Sequence, residues 1–286
     1  MTETAAKACT LGPAVMFTPA DRPERYAKAL DRADAVILDL EDAVTAADRP
    51  AAREAVAAAW TERESQGIDA DRVVVRVNPV DTGDHAADVA MLKDTGWRTL
   101  MLAKAESAAQ VDRLVEALGK DTRVVALCET AKGVLAAAEL AAHPHVTALM
   151  WGAEDLVASM GGTSSRTLDG AYRQTVAHAR STVLLAAAAH GAAAWDAVYL
   201  NLEDLDGLAA EVEDAVAVGC RATVCLHPNQ VAVVRHGYRP TDEQVARAEA
   251  ILAEARNHPG AFAFDGGMVD EVVLAQARIT LARAGR

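Results

Sequence analysis

The stretch RVVALCETAKGVLAAAELAAHPHVTALMWGAED, residues 123–155, decides the fold. Two apolar, β-branched runs, RVVALCE (123–129) and VTALMWG (146–152), flank an alanine-rich segment of helical period over 131–142. Strands separated by a crossover of that length pair in parallel. Glu129 ends the first run, and Asp155 follows the second. A carboxylate at the end of a buried strand must be solvated, paired or bound to a cation, because burying it alone is very costly.

The same alternation extends outward in both directions. Strand candidates precede it at 14–19, 35–41, 72–78 and 99–104 and follow it at 194–200 and 222–228. Helix candidates lie between them, including 22–32, 48–63, 107–118, 169–190 and 204–218. Eight such units match an α/β fold of the (β/α)8 TIM barrel type in number and length. A doubly wound open sheet is the competing architecture, but it carries a glycine-rich phosphate turn after its first strand. Here that strand runs into FTPADRPER (17–25), which has no such turn.

The barrel is expected to occupy 1–237, with a C-terminal helical extension over 238–286 acting as packing or as a lid. Helices are expected near 229–237, 241–257 and from about 271. The glycines and the turn at 265–267 read as a flexible connection into the last helix.

The formal net charge of −13 argues against nucleic-acid and anionic-membrane partners, which need basic patches. The first ten residues, MTETAAKACT, lack the basic and apolar regions of a signal peptide, and no stretch reads as a membrane span. Cys9, Cys128, Cys220 and Cys225 show no metal-binding spacing, and Cys128 and Cys225 read as buried thiols. A cytoplasmic protein is expected.

Barrel chemistry gathers at the C-terminal ends of the strands. Those ends carry Asp39, Glu41 and Asp42, then Arg76 and Asn78, then Lys104 and Glu106. Glu129, Glu154, Asp155, His227 and Asn229 complete the rim. Several have ordinary structural readings. Glu106 and Glu154 suit helix capping, Asp39 suits an ion pair, and His227 before Pro228 suits a hydrogen-bonded turn. Glu129 and Asp155 differ, because they follow consecutive strands and should lie close together. Two adjacent like charges need a counterion or a shared proton. A hard divalent cation such as Mg²⁺, with room left for water or substrate oxygens, answers that need.

The motifs FTPADRPERYAKAL, VILDLEDAV, VVRVN, CETAKGVLAAAEL, MWGAEDL, CLHPNQV and GAFAFDGGMVD follow one another over nearly the whole chain. In this order they resemble the citrate lyase β-subunit-like proteins of the HpcH/HpaI aldolase and citrate lyase family. That resemblance likewise implies a (β/α)8 barrel. It implies Glu129 and Asp155 as Mg²⁺ ligands, with Glu129 also facing substrate. It implies Arg76 as the group binding the keto acid or its oxyanion, with Glu41 and Asp42 lining the same catalytic pocket. Phe17, Arg25 and Lys28 would meet coenzyme A. Asp270 would be the acid/base group, delivered from a neighbouring subunit of a homotrimer or hexamer.

The implied activity is cleavage, or Claisen formation, of a β-hydroxyacyl-CoA such as citramalyl-, malyl-, citryl- or hydroxymethylglutaryl-CoA. Simple keto-acid aldolases of the wider family carry histidine where Asp42 stands, which favours the lyase branch. The tail departs from the family pattern in lacking a proline soon after Asp270. Two alternatives stand beside the lyase: a malyl-CoA thioesterase or malate-synthase-like activity, and the β subunit of a multi-subunit citrate lyase.

Overall fold

The computed structural model describes residues 9–285. Residues 1–8, which hold most of the N-terminal stretch read above, and Arg286 lie outside the described residues.

The strands are β1 (Ala14–Pro19), β2 (Ala35–Asp39), β3 (Val73–Val77), β4 (Thr99–Leu102), β5 (Arg123–Cys128), β6 (Val146–Trp151), β7 (Ala193–Asp196) and β8 (Ala222–Cys225). They form a closed barrel in sequence order, all parallel, with Ala14 of β1 registered on Thr223 of β8. The helices around them are α1 (Tyr26–Arg32), α2 (Arg49–Glu62), α3 (Gly83–Lys93), α4 (Ala108–Leu118), α5 (Ala131–Leu135), α6 (Ala137–Ala142), α7 (Ala153–Ser159), α8 (Gln174–Ala189) and α9 (Leu205–Val218). After β8 come α10 (Pro228–Tyr238), α11 (Asp242–Glu254), the strands β9 (Phe262–Phe264) and β10 (Gly267–Val269), and α12 (Glu271–Arg283).

Burial explains why these runs are strands. Every residue of β2, β3 and β6 is buried, as expected when helices cover one face and the barrel interior the other. One core cluster joins Val15, Ile37, Val74, Met101, Val125 and Trp195, and alanines such as Ala148, Ala193 and Ala222 make room in it for the indole. Cys9 and Leu11 pack against that cluster, and the Cys9 N–H donates to the Thr147 carbonyl at 2.9 Å. Cys128 and Cys225 are buried as expected, and burial pushes the Cys128 thiol up to about 12.

The strands end earlier than their apolar runs suggest: β2 stops at Asp39 and β4 at Leu102, so Glu41, Asp42, Lys104 and Glu106 sit on loops. The 131–142 helix is two short helices, divided at Ala136. Helix α3 was not anticipated from the sequence, because GDHAADVAMLK presents no clear apolar stripe. It is held by charge instead: Arg53 of α2 bonds Asp84 and the fully buried Asp88 at 2.5 and 2.6 Å.

The chain divides into two compact units, 1–234 and 235–286, with the boundary inside α10. The second unit has its own core of Ala248, Ile251, Phe262, Val269 and Ala277. Here the reading of 265–267 as a flexible connection needs correction. Phe262–Phe264 and Gly267–Val269 form an antiparallel hairpin, and its two turn residues, Asp265 and Gly266, have φ of 47° and 76°. Asp-Gly at two consecutive left-handed positions is a turn whose twist matches the strands it joins. Among the described residues no helix is long and apolar enough to cross a membrane.

Candidate active site

The ladder register sets the site. Asp39 and Arg76 are partners across β2 and β3, and the Asp39 carboxylate takes the Arg76 Nε and Nη2 donors at 2.6 Å each. Asp39 also accepts the N–H groups of Glu41 and Ala43, so one buried carboxylate shapes the loop after β2. That loop turns Glu41 inward, where it is 2 % exposed. Its Oε2 lies 2.9 Å from Arg76 Nη1 but outside hydrogen-bond geometry, so this contact is an ion pair only. Burial raises Glu41, against the opposing pull of Arg76. Burial works against the Arg76 charge too, yet Asp39 and Glu41 hold it above its ordinary range. Its Cζ sits 4.7 Å from the Phe17 ring centroid, a cation–π contact.

Lys104 follows β4 with φ of 49°, a left-handed conformation that costs a non-glycine residue about 1 kcal/mol. Its N–H donates to Glu129 Oε1 at 3.0 Å, and its Nζ reaches Glu41 Oε1 at 2.5 Å and Asp155 Oδ1 at 3.7 Å. Burial opposes the Lys104 charge, and the bond to Glu41 more than restores it.

Glu129 lies just past β5 and is 3 % exposed. Burial, then the charges of Glu41 and Asp155, push it up to about 8. Gly152, after β6, permits this packing: a Cβ there would stand 2.9 Å from Glu129 Cβ and 3.2 Å from its Oε2. Asp155, half-buried in the first turn of α7, supplies the second carboxylate.

Asp39, Arg76, Glu129 and Asp155 open into a cavity of about 350 Å³, whose lining includes Asp42 but not Glu41, which lies behind Arg76 as its ion-pair partner. Asp39, Asp42, Arg76, Glu129, Glu154 and Asp155 form its polar lining. Leu127, Met150, Trp151, Val198 and Leu200 form much of the apolar remainder. Trp151 is fixed there because its Nε1 donates to Asp196 at 2.7 Å, and Asp196 is paired in turn with Arg180 at 2.8 Å. A second cavity of about 380 Å³ brings together Phe17, Arg25, Lys28, Arg32 and His227, and Phe17 lines both.

The remaining rim residues have other partners. Asn78 bonds the Asp88 carboxylate and the Leu40 carbonyl. Glu106 does not cap the helix that follows it; it accepts from Thr130 Oγ1 at 2.8 Å and faces Lys132 at 3.2 Å. Glu154 accepts from Ser165 rather than capping α7. His227 is an exposed turn histidine whose Nδ1 accepts the Asn229 N–H. Asp270, in the second unit, caps α12 by accepting the N–H groups of Val272 and Val273. Sequence reasoning assigned no part to Gly152 and none to the Lys104 backbone. The glycine inside WGAED (151–155) was the available signal for the first; nothing in the sequence announced the second.

The donors suit a hard cation: Glu129, raised first by burial and then by the charges of Glu41 and Asp155, lines with Asp155 a cavity that has space for further oxygens. Among the described residues no group of three His, Cys, Asp or Glu side chains is placed to hold an ion, so such a cation would complete its shell with water or substrate. A model of the HpcH/HpaI aldolase/citrate lyase family matches residues 14–228, a span that contains the whole barrel.

The chain belongs to the HpcH/HpaI aldolase/citrate lyase family. It is an enzyme of the lyase class. It is 52 % identical over 274 residues to a citrate lyase subunit beta-like protein of Mycobacterium tuberculosis, covering 96 % of each chain. It is 32 % identical to a (3S)-malyl-CoA thioesterase of Cereibacter sphaeroides, over 94 % of this chain and 93 % of that one. Among solved structures, the protein CitE of M. tuberculosis in complex with magnesium, acetoacetate and coenzyme A superposes with a TM-score of 0.88. That match has 51 % identity and covers 96 % of this chain and 99 % of the other.

Proposed function

We propose that the chain cleaves, and in reverse condenses, β-hydroxyacyl-CoA thioesters at the mouth of its barrel, with Mg²⁺ held by Glu129 and Asp155. The observation that carries this reading is that Glu129, buried just past β5, and Asp155 line one cavity with room for substrate oxygens. Bound Mg²⁺ would supply Lewis acidity toward the substrate's hydroxyl and carboxylate oxygens. The binding of magnesium, acetoacetate and coenzyme A by a relative 51 % identical supports the same cofactor and ligand class here.

The chain's own groups do the rest. Arg76, locked by Asp39, presents fixed positive charge where oxyanion character develops; a single such donor contributes about 3 kcal/mol. Glu41 steadies that charge from behind the cavity wall, and Asp42, in the lining, orients the acyl group. Leu127, Met150 and Val198 exclude water from its hydrocarbon part. Arg25 and Lys28 suit the phosphates of coenzyme A, whose acyl end would pass Phe17 into the reaction cavity. Asp270 is the proton carrier and comes from a second copy of the chain in a trimer or hexamer.

The test is a panel of malyl-, citramalyl-, citryl- and hydroxymethylglutaryl-CoA incubated with protein and Mg²⁺. Acetyl-CoA together with the matching keto acid establishes the lyase. Free coenzyme A with an intact hydroxy acid establishes hydrolysis instead, the reading favoured by the thioesterase relative. Turnover only with added partner proteins establishes a citrate lyase β subunit.

A further inference from the structure

Lys104 reaches three of the carboxylates gathered at the site. Glu129 takes its backbone N–H at 3.0 Å, Glu41 takes its ammonium at 2.5 Å, and Asp155 lies 3.7 Å from the same nitrogen. Its left-handed backbone, unusual for a lysine, is what lets one residue send its main chain to Glu129 and its side chain to Glu41. Side-chain packing does not explain the conformation, since about a third of the side chain remains exposed (32 %).

We propose that Lys104 is a positioning residue with two separate tasks. Its backbone N–H engages Oε1 of Glu129 and thereby orients the carboxylate. Its ammonium holds Glu41 in place and neutralises the cluster when no cation is bound, competing with a divalent cation for Asp155. The second task sets the sign of a measurable effect, because removing a positive charge beside a metal ligand strengthens cation binding even as it frees Glu41 to move. This inference rests on the Mg²⁺-dependent reading above.

Lys104→Gly separates the tasks. Glycine adopts φ of 49° without penalty and keeps the N–H that meets Glu129, so the side chain with its ammonium is lost and the backbone task is kept. Titration calorimetry with MgCl₂ alone should show binding tightened about fivefold or more. At saturating Mg²⁺, kcat should fall about tenfold or more while circular dichroism remains that of the folded chain. Lys104→Arg, which keeps the charge, should bind Mg²⁺ within about twofold of the parent protein. Weaker Mg²⁺ binding in Lys104→Gly would make the lysine a structural support of the ligands and overturn the proposal. Unchanged binding or unchanged kcat would overturn it as well. Should the glycine variant fail to fold, Lys104→Gln carries the same comparison. Absence of Mg²⁺ binding by the parent protein would instead defeat the metal-dependent reading itself, and this inference with it.

Discussion

Arg76 touches Asp39 through two nitrogens and Glu41 through a third, so its charge is held rather than mobile. Lysine cannot reproduce that fork. Arg76→Lys should therefore leave a folded protein whose kcat/KM falls by more than about tenfold, equivalent to ~1.4 kcal/mol. A smaller loss would reduce Arg76 to an ion-pair partner of Asp39. Glu129 has a thermodynamic signature of its own. Its folded-state value of about 8 lies above the ordinary 4.5, so between those limits the folded chain holds a proton that the unfolded chain has released. Stability contributed by this group must fall as pH rises through that window. The Tm of Glu129→Gln should decline less than that of the parent between those limits, and Mg²⁺ at pH 8 should raise the parent's Tm but not the variant's. Parallel Tm profiles for the two proteins would show that Glu129 is not the buried acid described here.

At the scale of elements, the close contact between the loops after β5 and β6 is the sensitive one. Gly152→Ala would place a methyl 2.9 Å from Glu129 Cβ, an atom that moves only with its backbone, so the ends of β5 and β6 must separate and carry the carboxylate with them. Weakened Mg²⁺ binding together with a lowered Tm is the expected result, and calorimetry beside a thermal melt checks it; unchanged Mg²⁺ binding would show that this contact does not position Glu129. The N-terminus of α12 offers a second separation. Asp270 accepts two backbone N–H groups there, and losing such a cap costs about 1 kcal/mol. Asp270→Asn keeps an acceptor oxygen and should keep stability while losing turnover. Asp270→Ala should lose both. Full activity in the asparagine variant would leave Asp270 a capping residue only.

For the whole molecule, the proposal that Asp270 serves a neighbouring copy makes activity a property of the assembly. Asp270→Asn and Arg76→Ala variants, each expected to be inactive, should regain part of the activity when mixed, because some hybrid sites then contain both native groups. Subunit exchange is verified first by mass spectrometry of tagged hybrids. Hybrids that form without activity would place the proton carrier within its own barrel or at another residue. The separate core of residues 235–286, with Phe262 and Val269 on its hairpin, shows that the tail has structure of its own from which to present such a group.

The order of elements and the closed parallel barrel were legible because eight apolar runs had to be buried on both faces, leaving period and crossover length as the only variables. That Glu129, Asp155 and Arg76 meet at one barrel mouth was legible as well, since charged residues at strand ends stand out against apolar runs. Helix α3 was not, because it lacks an apolar stripe and is tied down partly by Arg53 reaching Asp84 and Asp88 across a gap of more than thirty residues. The hairpin around Asp265 and Gly266 did carry its turn signal, masked by strands only three residues long. Tertiary structure alone decided that Asp39 grips Arg76, that Gly152 makes room for Glu129, and that a left-handed Lys104 joins Glu41, Glu129 and Asp155. Those facts depend on distances between strand ends and loops remote in sequence, which local pattern does not encode.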